Sequence, residues 1–545
     1  MRAGLLARRA ASRSRLPVAV ASIVLLGAGL VPAGTAAADT APAQGTPPTV
    51  SADALPTVQV NGVVWSMTTV GNTVYATGRF TKARPAGAAP GSAQEVTRNN
   101  ILAFDIRTGK LITSFNHSLN GQGLRITRSP DGKRVYVGGE FTTVDGQARS
   151  RLAAFDTATG KLVAGFKPKV SNVVRAIAAT NKWVFFGGNF FNVNGSSRTR
   201  LAAVRAADGS LGSWKPSADD NEVYAIAIHG NRVIVGGRFQ KLNGTAKVGI
   251  GAFNGSTGAL EPWSSRPIPT RKGSNYSYVT DLFVMGDTVY GSANGEGGHW
   301  FDGRFAAKAA TGDLVWLDNC YGASYGVFAT GQSLYSVSHA HDCSSLGAFP
   351  ETKPMTWHRA LAETTYATGK DKAPPGTNSN YSKQPVPSLL HWYPTLTAGT
   401  FTGQSQAAWA VTGNASYIAM GGEFPRVNGV NQQGLVRFAV KSIAPNKQGP
   451  IASALGTPRA VKRLNGITVS WKTTWDMDNK NLTYEILRDN GTTPIGTVKR
   501  DSTFWSMPTL SFTDKSAPAG SHTYRIRVKD PLGVTITSAR SNAVG

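Results

Sequence analysis

Histidines and carboxylates gather in one part of this 545-residue chain: five of the eight histidines lie between positions 299 and 391. GEGGHWFDG supplies Glu296, His299 and Asp302, SHAHDC supplies His339, His341 and Asp342, and TWHR and LLHW add His358 and His391. Residues two apart in a strand project to one side. His339 and His341, joined by His299, are therefore the candidate ligands of a divalent metal ion such as Zn²⁺. Without HExxH or a third fixed ligand, a solvated or hydrogen-bonded histidine pair is the competing account. No other cofactor is implied.

A second chemistry is available to Asp219, Asp220 and Glu222. Asp220 and Glu222 are spaced to act as an acid and base in glycoside cleavage, although acids in a loop are also commonly just solvated. No GxSxG nucleophile turn is present, and the SPDG at Ser129 occurs once, as a hairpin turn. In WDMDNKNLTY, Asp476, Asp478 and Asn479 alternate as calcium ligands do, but the full loop pattern is missing. Binding without turnover needs less. Asn61, Gln122, Asn172, Asn221, Ser277, Ser324 and Gln406 each stand at the start of one strand of a repeat, and Tyr276, Tyr278, Tyr321 and Trp409 lie near them. Amides beside aromatic faces suit sugars, which makes Tyr276, Tyr278, Tyr321, Asn172, Asn221 and Gln406 the candidate ligand-binding residues; polar groups also fill such channels with water.

The elements that must position these groups are read from a repeat. VGGEFTTVDG from Val137, FGGNFFNVNG from Phe186, VGGRFQKLNG from Val235 and MGGEFPRVNG from Met420 share Gly-Gly-x-Phe and a following Asn-Gly or Asp-Gly turn, with a shorter form, ATGRF, at Ala76. Gly139, Gly188 and Gly237 recur every 49 residues, a period in the range of propeller blades. One unit, from Val173 to Pro216, holds four short strand candidates and nothing with helical spacing. Degenerate copies near Thr280 and Ser324 bring the count to seven, the copy near Ala407 being the first hairpin of the repeat that holds MGGEF. The last lacks a fourth strand, which the Leu55–Val60 region is expected to supply, closing the ring and removing free edges. The fold class is thus all-β, a seven-bladed β-propeller over 55–441. In such a ring the loops between strands four and one and between strands two and three share the upper face, where the longest insertions fall.

A different pattern follows a linker at 442–455. ITVSWK, LTYEILRD, LSFTDK and HTYRIRVKD are alternating strands without Gly-Gly-x-Phe. Trp471, Tyr484 and Tyr524 stand as in a fibronectin type III domain, which 456–545 resembles. The propeller repeat, best seen in VGGEFTTVDGQARSRLAAFDTATGKL, is similar to delta sixty repeat (DUF5122-type) propellers of secreted bacterial proteins. That resemblance implies fold and export. It implies no reaction and assigns no catalytic residue.

Residues 1–38 read as a signal peptide, with five arginines and no acid, an apolar run from Leu16 to Leu30 and Ala36-Ala37-Ala38 before Asp39. Residues 39–54 read as a disordered lead-in. No later stretch has the length to span a membrane, so no transmembrane anchor remains after signal removal. Cys320 and Cys343, the only cysteines, are expected to form a disulfide in the exported chain. The net charge is +26, of which the leader accounts for five, and the rest is spread along the chain. An excess of this kind favours an anionic wall polymer or acidic glycan. No basic run with interleaved aromatics appears, so specific nucleic-acid readout is not expected. The expectation is a secreted monomer, extracellular or wall-associated, that binds a glycan or cell-wall polymer; the alternative is an extracellular polysaccharide-degrading hydrolase.

Overall fold

A computed structural model describes residues 45–264, 271–272, 275–296, 301–372 and 381–545. The expected signal peptide over 1–38, His299 and parts of three long loops lie outside the described residues. The fold is all-β, and among the described residues no helix is long and apolar enough to cross a membrane.

The repeats form a β-propeller. Seven strands, Val63–Val70, Gly123–Arg128, Val174–Ala179, Val223–His229, Asn275–Met285, Ser324–Thr330 and Ala408–Gly413, each begin one antiparallel sheet. Each lies beside the first strand of the next sheet, and the last lies beside the first. Their sheets are numbered one to seven below. The hairpins that follow second strands turn on Asp145-Gly146, Asn194-Gly195, Asn243-Gly244 and Asn428-Gly429, all with positive φ, as a two-residue turn of this hand requires.

The paired glycines have two separate jobs. A Cβ on Gly138, Gly187, Gly236 or Gly421 would meet Val174, Val223, Val279 or Val64, the valine just before the bulge in the neighbouring sheet's first strand, at 2.5–2.7 Å. A Cβ on Gly139, Gly188, Gly237 or Gly422 would meet a backbone carbonyl of its own sheet's first strand region at 2.0–2.2 Å. The first glycine lets sheets approach, and the second lets the backbone bulge.

Each sheet ends on a leucine. Leu111, Leu162, Leu211, Leu260, Leu314 and Leu389 pair with third strands of sheets one to six, and Leu55 pairs with Arg437 in sheet seven. Leu55 N–H and Ser51 N–H donate to the carbonyls of Arg437 (2.9 Å) and Ala439 (2.8 Å). The N-terminal segment therefore completes the last sheet, as the missing strand in the sequence implied. The lead-in expected over 39–54 is corrected at its C-terminal end: Thr49, Val50, Ser51, Ala52 and Asp53 are buried, with Val50 and Ala52 in the core that holds Trp392 and Met420. Their order comes from partners far along the chain, not from any local pattern.

After residue 455 the chain forms a three-stranded sheet (Arg459–Arg463, Gly466–Lys472, Thr509–Asp514) and a four-stranded one (Asn481–Arg488, Gly496–Asp501, Tyr524–Lys529, Thr535–Thr537). Trp471, Tyr484 and Tyr524 are buried in their shared core. These sheets dock on the propeller. Met477 enters the propeller core, Phe504 stacks on His358 at 4.6 Å, and the neutral His391 ring bonds the Asp476 carbonyl at 2.8 Å.

Candidate functional site

Every first strand carries a β-bulge at the same place. The register slips at Trp65, Leu124, Arg175, Tyr224, Thr280, Tyr325 and Trp409. A bulge re-aims one side chain out of the pleat. All seven bulged residues line a central cavity of about 670 Å³, and all are half-buried. The residue types carry no signal for this ring, because its seven members share only their place at the register slip between first and second strands.

Four of the seven are aromatic, and three touch. Trp65 meets Trp409 edge-on with centroids 5.0 Å apart, and Tyr325 lies 4.4 Å from Trp409. Across the mouth, Tyr224 packs against Tyr278 at 5.6 Å, with the Arg175 guanidinium over the Tyr224 ring and Arg238 over Tyr278 at 4.7 Å. Polar partners fix the rings. The indole of Trp65 donates to Gln122 (2.9 Å), that of Trp409 to Glu423 (3.1 Å), and the Tyr224 hydroxyl to Glu222 (2.6 Å). Asn294 donates to the Tyr278 hydroxyl (2.8 Å). Burial, aided by the Glu222 carboxylate, pushes the Tyr224 hydroxyl up, and burial does the same to Tyr325. Both stay neutral hydrogen-bonding groups. Below the aromatic layer, Arg125 of sheet two and Asp281 of sheet five form an ion pair of 2.7 Å across the channel.

The residues singled out by type and spacing are dispersed by this geometry. Tyr278 lines the cavity, while Gln406 is buried behind it and bonds the His339 ring, which also lies 3.4 Å from the Tyr325 hydroxyl. Burial holds His339 below the ordinary imidazole range. His341 turns elsewhere, pairing with Glu351 at 3.0 Å beside the Tyr321 ring. Among the described residues no group of three His, Cys, Asp or Glu side chains is arranged to hold a metal ion. Asn172 and Asn221 accept from the backbone N–H of Val173 and Glu222, at 2.8 Å each, as local turn caps. Asp220 is exposed and accepts from Gln240 N–H (2.8 Å), whereas Glu222 faces Tyr224 and lies 3.7 Å from Arg175. Tyr276 pairs through its backbone with Glu296. Cys320 and Cys343 are joined by a disulfide, as expected.

Beside the mouth lies a buried polar network. Arg304 is fully enclosed, donating to Glu363 (2.7 Å) and Ser324 (3.2 Å) and pairing with Asp318. Burial, opposed in part by Arg304, pushes the Glu363 carboxyl well up. Asp302 accepts from the backbone N–H of Gly295 and Gly322, at 3.1 Å each; burial outweighs these bonds and raises its carboxyl to about 7.

The family described as "Outer membrane protein assembly factor BamB" matches residues 97–360, a little under half of the chain. Two solved structures are similar at low identity. "Crystal Structure of Mitotic Checkpoint Complex" matches at 10% identity and a TM-score of 0.42, covering 78% of this chain and 99% of its own. "Crystal structure of Kluyvelomyces marxianus Hsv2" matches at 10% identity and a TM-score of 0.34, covering 66% and 90%. No curated protein matches the chain.

Proposed function

We propose that this is an exported binding protein whose seven-bladed propeller holds a glycan or anionic wall polymer at the upper mouth of its channel, with a fibronectin type III-like domain over 456–545 as spacer. The observation that supports this reading is the bulge ring, which aims Trp65, Tyr224, Tyr325 and Trp409 at one cavity and sets them among Gln122, Asn294 and Arg175. Aromatic faces flanked by fixed amides and a guanidinium fit the apolar faces and hydroxyls of sugar rings. The net charge of +26 favours an acidic chain. Export is supported by the leader and by the disulfide, a bond of oxidising compartments.

A glycan array, run beside a polysaccharide-degradation screen, tests the reading. Trp409→Ala and Tyr325→Ala are expected to weaken retention about tenfold each, the size of one lost stacking contact of about 1.4 kcal/mol. Retention unchanged in both variants overturns the placement. Turnover that is lost in Asp220→Asn or Glu222→Gln would replace binding by hydrolysis, and turnover lost with metal content in His339→Ala and His341→Ala would make it metal-dependent.

A second reading has its own support. The match over 97–360 is to a family whose description is that of an assembly factor, so the same mouth would take a loop of a partner protein. Capture of a peptide library on the propeller, with no glycan retained, would favour it.

A further inference from the structure

One cation at the mouth has no counter-charge. Arg359 is the second residue of the strand His358–Thr364 in sheet six, and successive residues of a strand point to opposite faces. The two part accordingly: the His358 ring stacks on Phe504 of the C-terminal part, while Arg359 Nη2 donates to the Ser405 carbonyl (3.3 Å) in the loop that leads into sheet seven. The guanidinium is half-buried, its Nε is enclosed with no hydrogen-bond partner, and no described Asp or Glu pairs with it. Arg125 and Arg175, which line the same cavity, face Asp281 and Glu222. The Arg359 charge is felt at the Tyr325 hydroxyl and the His339 ring, which places it on the Tyr325 side of the mouth.

An unpaired charge held partly out of water is unfavourable until an opposite charge reaches it. Beside this one lies an open aromatic surface. Trp357, two residues earlier, is 47% exposed, and the Arg359 guanidinium sits over its ring at 5.8 Å. The loop that holds Arg359 joins it to the cavity: Ser405 takes the guanidinium, Gln404 lines the channel, and Thr402 bonds Glu423 through its N–H (2.8 Å) and hydroxyl (2.6 Å), the same carboxylate that fixes the Trp409 indole. The pair is thus continuous with the aromatic ring and lies outside it.

We propose that Arg359 and Trp357 form an outer subsite of the mouth, where the guanidinium takes an oxyanion of an acidic polymer, carboxylate or phosphate, and the indole takes the apolar face of the adjoining unit. The inference rests on the reading of the mouth as a polymer-binding site and adds which charge is read, and where. Of the five N–H groups of Arg359 only one is taken among the described residues, by Ser405, so a fork remains for an anion. Burial pulls the guanidinium below its ordinary range, and an arriving anion would oppose that shift.

Affinities of the full chain for oligogalacturonate, for its uncharged methyl ester and for poly(glycerol phosphate) test the subsite. One acidic probe should bind at least tenfold more tightly than the ester, and which of the two does so tells carboxylate from phosphate. Arg359→Met should bring that probe down to the level of the ester, and Arg359→Lys, which keeps the charge without the fork, should recover only part. Trp357→Ala should weaken acid and ester alike, about tenfold each. Because no carboxylate is stranded by its loss, Arg359→Met should keep or raise the melting temperature. Acidic probes bound no better than the ester, or a preference that survives Arg359→Met, overturns the subsite while the mouth still binds. So does a fall in melting temperature in Arg359→Met, which makes the residue structural. A chain that retains none of the probes and no glycan of the array overturns the subsite and the polymer reading together.

Discussion

In sheets two to four, neighbouring sheets meet through backbone: Gly138, Gly187 and Gly236 admit Val174, Val223 and Val279 of the next sheet. Between sheets five and six the glycine pair is replaced by Ser292-Ala293 and Val337-Ser338, and side chains take over the contact. Thr280 donates to the Ser324 carbonyl (2.6 Å), Trp316 to that of Thr365 (3.0 Å), Arg304 reaches Glu363, and a disulfide pins the loops above. Packing through glycine is uniform and indifferent to direction. Packing through polar side chains is directional, so this half of the ring carries the long loops and the residues that depart from the repeat.

The two modes should fail differently. Gly188→Ala drives a Cβ to 2.1 Å from the Val173 carbonyl, which is main chain and has nowhere to go; a loss of about 4 kcal/mol or more by denaturant unfolding is expected. Its counterpart in sheet six, Ser338→Gly, should cost about 1 kcal/mol, one hydroxyl bond to the His358 carbonyl. Equal losses in the two would refute the contrast. Arg304→Met is the matching injury on the polar side. It leaves Asp318 and Glu363 buried beside each other and is expected to cost about 3–5 kcal/mol, most of it recovered when Glu363→Gln is added.

Cys320→Ser should lower stability by about 3 kcal/mol, from the loop of 23 residues that the bridge closes. The same drop should follow reduction of the wild-type chain, and no change on reduction would contradict it. A smaller effect is set by pH. Burial lowers His391 from 6.5 to about 4, so the folded protein binds its proton less readily than the unfolded chain does. The stability this group contributes is fully present above pH 6.5 and is lost as pH falls through that value towards 4, amounting to about 2–3 kcal/mol. His391→Gln, which keeps a donor for the Asp476 carbonyl, should flatten that slope; an unchanged slope would place the titration elsewhere. Arg125→Ala in the channel takes the guanidinium from the buried Asp281 and is expected to cost about 2 kcal/mol.

Much of the fold was legible because its signals are local. Gly-Gly-x-Phe and Asn-Gly mark a bulge and a hairpin wherever they stand, and the missing fourth strand of the last repeat pointed to the segment that supplies it. The site was less so. Tyr278 and Gln406 were reachable from repeat alignment, yet the bulge ring was not, since Trp65, Arg175, Tyr224 and Tyr325 hold one structural position with unrelated side chains. His339 and His341 share a face only while the strand continues. It ends at Ala340, and the two imidazoles then take different partners. Residues 49–53 show no alternation, and their burial is dictated by positions near 437 and 478.

The pairing of Leu55 with Arg437 also sets a timetable. The strand that finishes the last sheet is among the first parts of the chain to be synthesised, and its partner is made almost four hundred residues later. A stack of repeats can grow from any seed and stop anywhere, but here the clasp cannot shut until the whole series exists. Its closure pays the loop entropy of the entire ring at once. A chain interrupted before residue 435 would keep an unpaired edge at both ends, and such edges recruit one another between molecules.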